Sequence, residues 1–308
     1  MATLDGAHKI DMTRGSNARG IAAMLFSMAC FVSSDTLIKQ VGADMPIGQI
    51  MFLRGMFATL LVATLAVVTG DIAHYRHVFK PVMALRTVAE VGATLFFFAG
   101  LMRLPFADAA AIGQFTPLAV TAGAALFLKE PVGWRRWLAT VVGLVGVLLI
   151  IRPGTSAFNP AALLIVACVF FVAVRDLVTR VLGNAVPALL IILLSSSAIT
   201  LSGLCIRPLE TWIDPTAGIV ASLAVSALGV TGGYYGSIIA MRCGDIAVVA
   251  PFRYTSMLFA LIWGYVLFNE VPDWPTWVGI AIVVGAGGYT FHRELVRKRE
   301  AATKAGHS

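Results

Sequence analysis

Long apolar runs separated by short polar breaks set the pattern of this chain. Ten candidate spans emerge, at 20–40, 48–70, 83–103, 109–128, 136–151, 160–182, 187–206, 217–241, 246–268 and 275–292. A bilayer core about 30 Å thick takes about 20 residues of helix at about 1.5 Å per residue, so runs of this length predict membrane-spanning helices. A transmembrane barrel would instead need alternating strands of about ten residues, and runs such as "VVGLVGVLLII" do not alternate. The predicted fold class is all-α integral membrane, with ten transmembrane helices.

The pattern also repeats. "LFLKEPVGW" at Leu126–Trp134 and "VLFNEVPDW" at Val266–Trp274 each end an apolar run with Phe, Glu, Pro and Trp in that order. Glu130 and Trp134 therefore have counterparts in Glu270 and Trp274 at the same offset. Asp35-x-x-x-Lys39 near the end of the first span likewise matches Asp176-x-x-x-Arg180 near the end of the sixth. In both, an acid and a base fall on one helix face. Repetition on this scale points to duplication. Five spans per copy is an odd number, so the second copy enters the membrane upside down, giving two inverted five-helix repeats. The expected organisation is a cytoplasmic tail at 1–19, repeats at 20–152 and 160–292, and a basic cytoplasmic tail at 293–308. The turn-forming "RPGTSAFNP" at Arg152–Pro160 joins the repeats.

Composition narrows the class further. With 58% hydrophobic and 13% charged residues, the chain cannot build a water-soluble domain with a polar shell. Charge sets the orientation. With the first 18 residues in the cytoplasm, seventeen Lys and Arg fall on the cytoplasmic face. Four (Lys39, Arg103, Arg152 and Arg207) fall outside, leaving Arg54 and Arg253 within the membrane. This positive-inside bias predicts cytoplasmic termini and a cytoplasmic 71–82 loop in a bacterial inner membrane, with the 207–216 and 269–274 loops outside. The net charge of +7 follows from that topology and gives no support to a nucleic-acid partner. Residues 1–18 are polar and do not read as a cleavable signal. The four cysteines are scattered, with no Cys-x-x-Cys, and read as small packing residues rather than metal ligands.

"LPFADAAAIGQFTPLAVTAGAALFLKEPVGWRRWLATVVGLVGVLLIIRPG" (Leu104–Gly154) resembles the first EamA-type repeat of the drug/metabolite transporter superfamily. "GDIAVVAPFRYTSMLFALIWGYVLFNEVPDW" (Gly244–Trp274) is similar to the second. The resemblance implies ten helices, cytoplasmic termini and a central cavity between the repeats. It also implies secondary transport of a small metabolite by alternating access. Amino acids, nucleobases and vitamins such as riboflavin are among that family's substrates.

Four ionisable residues lie deep in the spans. By helical rise, Asp35 and Arg54 come out about 7.5 Å from the middle on the outer side. Glu90 lies about 4–5 Å and Arg253 about 6 Å from the middle towards the cytoplasm. Depth predicts two ion pairs, Asp35 with Arg54 and Glu90 with Arg253, with Arg86 as the rival partner of Glu90 one turn away. Such charges either serve substrate binding and coupling, with a proton as the candidate coupling ion, or pin helices together. Gln114 and Tyr254 carry polar atoms that need partners when buried, and Phe259 and Trp263 form a stripe with Thr255. A cavity offering Arg and Glu among aromatics suits a zwitterionic or planar polar solute. Glu130 and Glu270 sit at helix ends before Pro131 and Pro272, where a role in shaping the turn is expected.

The five histidines lie in tails or loops, and no His-Glu-x-x-His, phosphate-binding loop or nucleophile elbow occurs. The chain therefore reads as no enzyme and calls for no cofactor or metal. Its expected partners are a small-molecule substrate and the lipid bilayer, with the protein a monomer or homodimer. A channel, or a non-transporting structural or receptor protein, is the alternative, although no ring of like charges or filter sequence appears.

Overall fold

The computed structural model describes residues 2–70, 81–129, 133–182, 186–243 and 249–305, and these are helical with no strand among them. In chain order the helices are α1 (Ala2–Val41), α2 (Ile47–Val68), α3 (Pro81–Leu101), α4 (Phe106–Gly113), α5 (Thr116–Phe127) and α6 (Trp134–Ile151). They continue as α7 (Ala162–Leu182), α8 (Ala188–Ile206), α9 (Ala217–Cys243), α10 (Thr255–Phe268) and α11 (Trp274–Ala305). Eight segments among the described residues are long and apolar enough to cross a bilayer, from Asn17–Val41 to Ala217–Ala240. A shorter apolar helix, Phe252–Phe268, follows them. Large apolar side chains such as Leu60, Phe127, Phe170, Leu201 and Leu258 lie exposed around the outside. That mantle suits lipid rather than water. The protein is a multi-pass helical membrane protein.

Two expected spans are interrupted as helices, although Phe106–Phe127 still forms one apolar crossing, and proline has a part in both. The expected 109–128 span is broken at Gln114–Phe115 into α4 and α5, with Pro117 in the first turn of α5. Pro117 has no backbone N–H to continue the ladder and tolerates a helix start. The expected 246–268 span opens with a 3₁₀ turn, Ala250–Tyr254, that holds Pro251 at its start, and α10 begins only at Thr255. Residues 244–248 lie outside the described residues.

Packing pairs helices that are distant in sequence. The main contacts are α1 on α9, α3 on α7, α2 on α8 and α6 on α11. Two of these contacts depend on glycine. A Cβ at Gly203 would lie 2.5 Å from the Gly48 carbonyl oxygen, and one at Gly279 would lie 2.8 Å from that of Gly146. Backbones thus approach without a side chain between them, the usual means of packing helices where lipid is as apolar as leucine. Fully buried Ile38, Ile50, Met51, Leu101, Ile112, Ile165 and Leu223 fill the main core.

One end of the bundle is tied by polar contacts across the helix connections. Lys39 Nζ, at the end of α1, bonds Glu270 Oε1 at 2.6 Å and the Leu104 carbonyl at 2.7 Å. The second oxygen of Glu270 accepts the Phe106 N–H. Glu210 accepts the Gly48 N–H at 3.0 and 3.1 Å, placing an anion at the N-terminus of α2 where the helix dipole favours it. Gln49 and Ile213 exchange two hydrogen bonds. Arg152 pairs with Asp273 and also donates to Thr276.

Candidate functional site

A cavity of about 700 Å³, counted out to its mouth, lies between α2, α3, α8 and α9. Its apolar wall is made by Met51, Val62, Phe98, Ile192, Ile199 and Val230, and its polar wall by Arg54, Arg86, Glu90, Ser195, Thr231 and Tyr234. The lining residues fall on one face of each helix because α2 and α3 turn inward at positions spaced by three and four residues. On α2 these are Met51, Arg54, Gly55, Ala58 and Val62, and on α3 they are Arg86, Glu90, Thr94 and Phe98. An apolar pocket with a few convergent polar groups is the form that small-molecule sites take.

Glu90 is buried and held from two sides. Its Oε1 accepts Arg175 Nη1 at 3.0 Å, and its Oε2 lies 3.3 Å from Arg86 Nη2. Arg86 spends its other donors on Thr179 Oγ1 at 2.9 Å and Ser195 Oγ at 2.7 Å. Arg175 also bridges to Asp176 at 2.9 Å. The helices α3, α7 and α8 are thereby cross-linked behind the cavity wall.

Arg54 is placed differently. Nε donates to Ser226 Oγ at 3.0 Å and Nη2 to Ser34 Oγ at 3.1 Å, while the guanidinium lies over the Phe98 ring at 5.4 Å. Ser34 and Ser226 are themselves hydrogen-bonded across the α1–α9 contact at 2.8 Å. The Arg54 partners are therefore hydroxyls, and its charge is met by no acid in ion-pair contact among the described residues. Tyr234 lies in the same wall, its ring edge-on to Phe31 at 5.1 Å.

The predicted ion pairs do not form as depth suggested. Arg253 is exposed, and Glu90 takes Arg86 and Arg175 instead. The 3₁₀ turn at Ala250–Tyr254 puts Arg253 outside the α2–α3–α8–α9 cavity. Among the described residues Asp35 lies within electrostatic reach of Arg54 but forms no ion pair with it, and the guanidinium bonds the hydroxyls of Ser34 and Ser226 instead. Arg86 and Arg175, counted on the cytoplasmic face, point to Glu90 within the helical bundle. Depth alone flagged Glu90 and missed Arg175, which lies well inside α7, several residues before its end at Leu182.

The remaining candidates gather elsewhere. Gln114 sits at the α4–α5 break and donates to Ser256 Oγ. Trp263 Nε1 donates to Ser33 Oγ at 3.2 Å, joining α10 to α1. Phe259 packs against the cores formed with α1, and Tyr254 ends the 3₁₀ turn. None of these four, nor Arg253, lines the cavity. Glu270 belongs to the Lys39 end of the bundle. Glu130 lies outside the described residues. The residue before each repeated Glu nevertheless shares an uncommon conformation, left-handed at Lys129 (φ 53°) and at Asn269 (φ 52°). Among the described residues, no group of three or more His, Cys, Asp or Glu could hold a metal ion.

Comparison with known proteins finds similarity to transporters along most of the chain. The sequence model of the EamA-like transporter family matches residues 18–152 and 159–288. An S-adenosylmethionine uptake transporter of Rickettsia prowazekii is 26% identical over 282 residues, covering 89% of this chain and 93% of its own length. A riboflavin transporter of Vibrio cholerae is 30% identical over 213 residues, covering 69% and 71%. A pseudopaline exporter of Pseudomonas aeruginosa is 24% identical over 274 residues, covering 87% and 94%. A solved crystal structure shares the fold with a TM-score of 0.63 at 19% identity, covering 91% of this chain and 99% of its own.

Proposed function

The chain belongs to the EamA-like transporter family, whose relatives named above are transporters rather than enzymes, and from that premise we propose that it is a secondary transporter of a small polar or amphipathic metabolite. The observation that carries this reading is the cavity between α2, α3, α8 and α9, with Arg54, Arg86 and Glu90 in its wall. Intramembrane charges are costly, and a cavity that exposes them to a solute gives them a use.

Alternating access is the proposed mechanism, carried by ten spans arranged as inverted repeats at 20–152 and 160–292. Three observations support the repeats. The family model matches twice. The left-handed residues at Lys129 and Asn269 precede the repeated glutamates. The helix pairing is also the one expected of a pseudo-two-fold: α1 on α9 exchanges with α7 on α3, while α2–α8 and α6–α11 map onto themselves. The Lys/Arg split supports cytoplasmic termini in a bacterial inner membrane. Asp35, which makes no ion pair among the described residues, is the proposed carrier of a coupling proton.

S-adenosylmethionine and riboflavin, given the relatives, and amino acids, given the charged cavity wall, are the first solutes to test. Proteoliposomes of the purified chain should accumulate at least one of them, in labelled form, above protein-free liposomes, and a metabolite-extract exchange assay extends the search. Folded protein that exchanges nothing from such an extract would contradict transport.

A further inference from the structure

The acids and bases around the cavity pair unevenly: among the described residues Asp35 lies within electrostatic reach of Arg54 but makes no ion pair with it. Both oxygens of Glu90 are engaged, one by Arg175 and the other by Arg86. Arg175 is also matched by Asp176. Arg54 has two neutral hydroxyls as hydrogen-bond partners and an aromatic ring beneath it. A guanidinium carries five N–H donors, so three remain after Ser34 and Ser226, both of Nη1 among them. Those donors belong to a residue that lines the cavity beside the apolar Met51 and Phe98. A fork of N–H donors on a fixed cation matches the paired oxygens of a carboxylate or a phosphate, and a single guanidinium balances the carboxylate monoanion rather than a phosphate dianion.

We infer that Arg54 is a carboxylate-binding subsite, and that the transported solutes are small organic acids or amino acids held by their carboxylate at this residue. Glu90 is a poor counterpart for a substrate ammonium, because two arginines already balance its charge. The zwitterion is thus read at its anionic end. The Phe98 ring fixes the guanidinium plane, and Ser34 and Ser226 fix its rotation, so the fork is organised before the solute arrives. The inference rests on the transport reading of the cavity and names its substrate class.

The test reads the cavity without needing flux. A cysteine is placed in the wall by Ser196→Cys, or separately by Thr231→Cys, with Cys30, Cys168, Cys205 and Cys243 replaced by Ala. The rates of modification by anionic, neutral and cationic methanethiosulfonates are then compared with those of a free thiol. The anionic reagent should be favoured over the cationic one by about threefold or more, as expected for a guanidinium that lines the wall while its nearby acid, Asp35, does not. Arg54→Gln should bring the ratio close to one, and Arg54→Lys should keep it. Phenylacetate should protect the cysteine while phenylacetamide and phenyl phosphate do not, and Arg54→Lys should weaken that protection by losing the fork. A cation preference, equal protection by the amide, or no protection by phenylacetate at normal labelling overturns the carboxylate subsite and leaves transport standing. Better protection by phenyl phosphate replaces the carboxylate with a phosphate as ligand. Failure of the neutral reagent in both cysteine variants shows a closed wall and overturns the cavity reading together with the subsite.

Discussion

The cavity wall and the Lys39 end of the bundle use the same residue types for different work. At the Lys39 end, Glu270 closes on Lys39 and the Phe106 N–H, and Lys39 also satisfies the Leu104 carbonyl and lies over the Phe268 ring at 4.8 Å. Each polar atom there meets a chain turn or a backbone group. In the wall, Glu90 is fully paired, while Arg54 keeps donors turned to a cavity. A polar group spent on the fold differs from one held for a solute in whether its partners are complete, and residue type does not reveal which applies.

The comparison can be broken at Glu90 first, where the largest loss is expected. Glu90→Gln leaves Arg86 and Arg175 facing each other without their shared anion. Breaking a buried pair in this way should cost roughly 3–5 kcal/mol of stability, read as a lower thermal midpoint in detergent. Arg253→Gln, on an exposed residue, should change the midpoint little, within about 0.5 kcal/mol. Equal losses in the two variants would restore an Arg253 partner for Glu90.

The Lys39 end should show a smaller effect. Glu270→Ala removes acceptors from Lys39 and the Phe106 N–H at once, and should cost about 1–3 kcal/mol. Glu270→Gln, which keeps an acceptor, should cost less than Glu270→Ala. If the two replacements cost the same, the backbone contact contributes nothing.

The smallest effect belongs to the pair of half-buried Arg152 and exposed Asp273. Asp273→Asn should cost under about 1 kcal/mol, as exposed pairs do. The hydrogen bond from Arg152 holds the Asp273 carboxyl down, at about 2, despite partial burial, and the same bond raises Arg152. A depressed carboxylate stabilises the fold above the unfolded value of about 3.9 and loses that contribution as pH falls through about 2. The midpoint difference between wild type and Asp273→Asn should therefore shrink from about pH 4 downward to about pH 2. A difference that stayed constant over that range would remove the pair from the account.

Much of the fold was legible because lipid imposes a simple rule, an apolar run long enough to cross. The run at 48–70 and the helix Ile47–Val68 agree closely for that reason. The breaks at Gln114 and around Pro251 were less legible. The prolines were visible, but whether neighbours would let the helix pass was not. Depth found Arg54 and Glu90 because it needs only rise per residue. It failed on partners, since rotation about the helix axis and the pairing of α3 with α7 decide which arginine meets Glu90. Arg175 was hidden by being counted on the cytoplasmic face although it stands inside α7. The repeated glutamates drew notice by their motif, yet only the contact with Lys39 shows what Glu270 holds.

The most direct measurement compares flux per folded molecule for Arg54→Gln and Glu270→Gln in matched proteoliposomes, using the substrate found in the exchange screen. Arg54→Gln should lose transport by at least about tenfold while reaching wild-type folded yield, since a lost charge-assisted contact is worth roughly 1.5–3 kcal/mol. Glu270→Gln should keep near-normal flux in whatever fraction folds. Wild-type flux in Arg54→Gln, with flux lost in well-folded Glu270→Gln, would contradict the account and move the transport site to the Lys39 end.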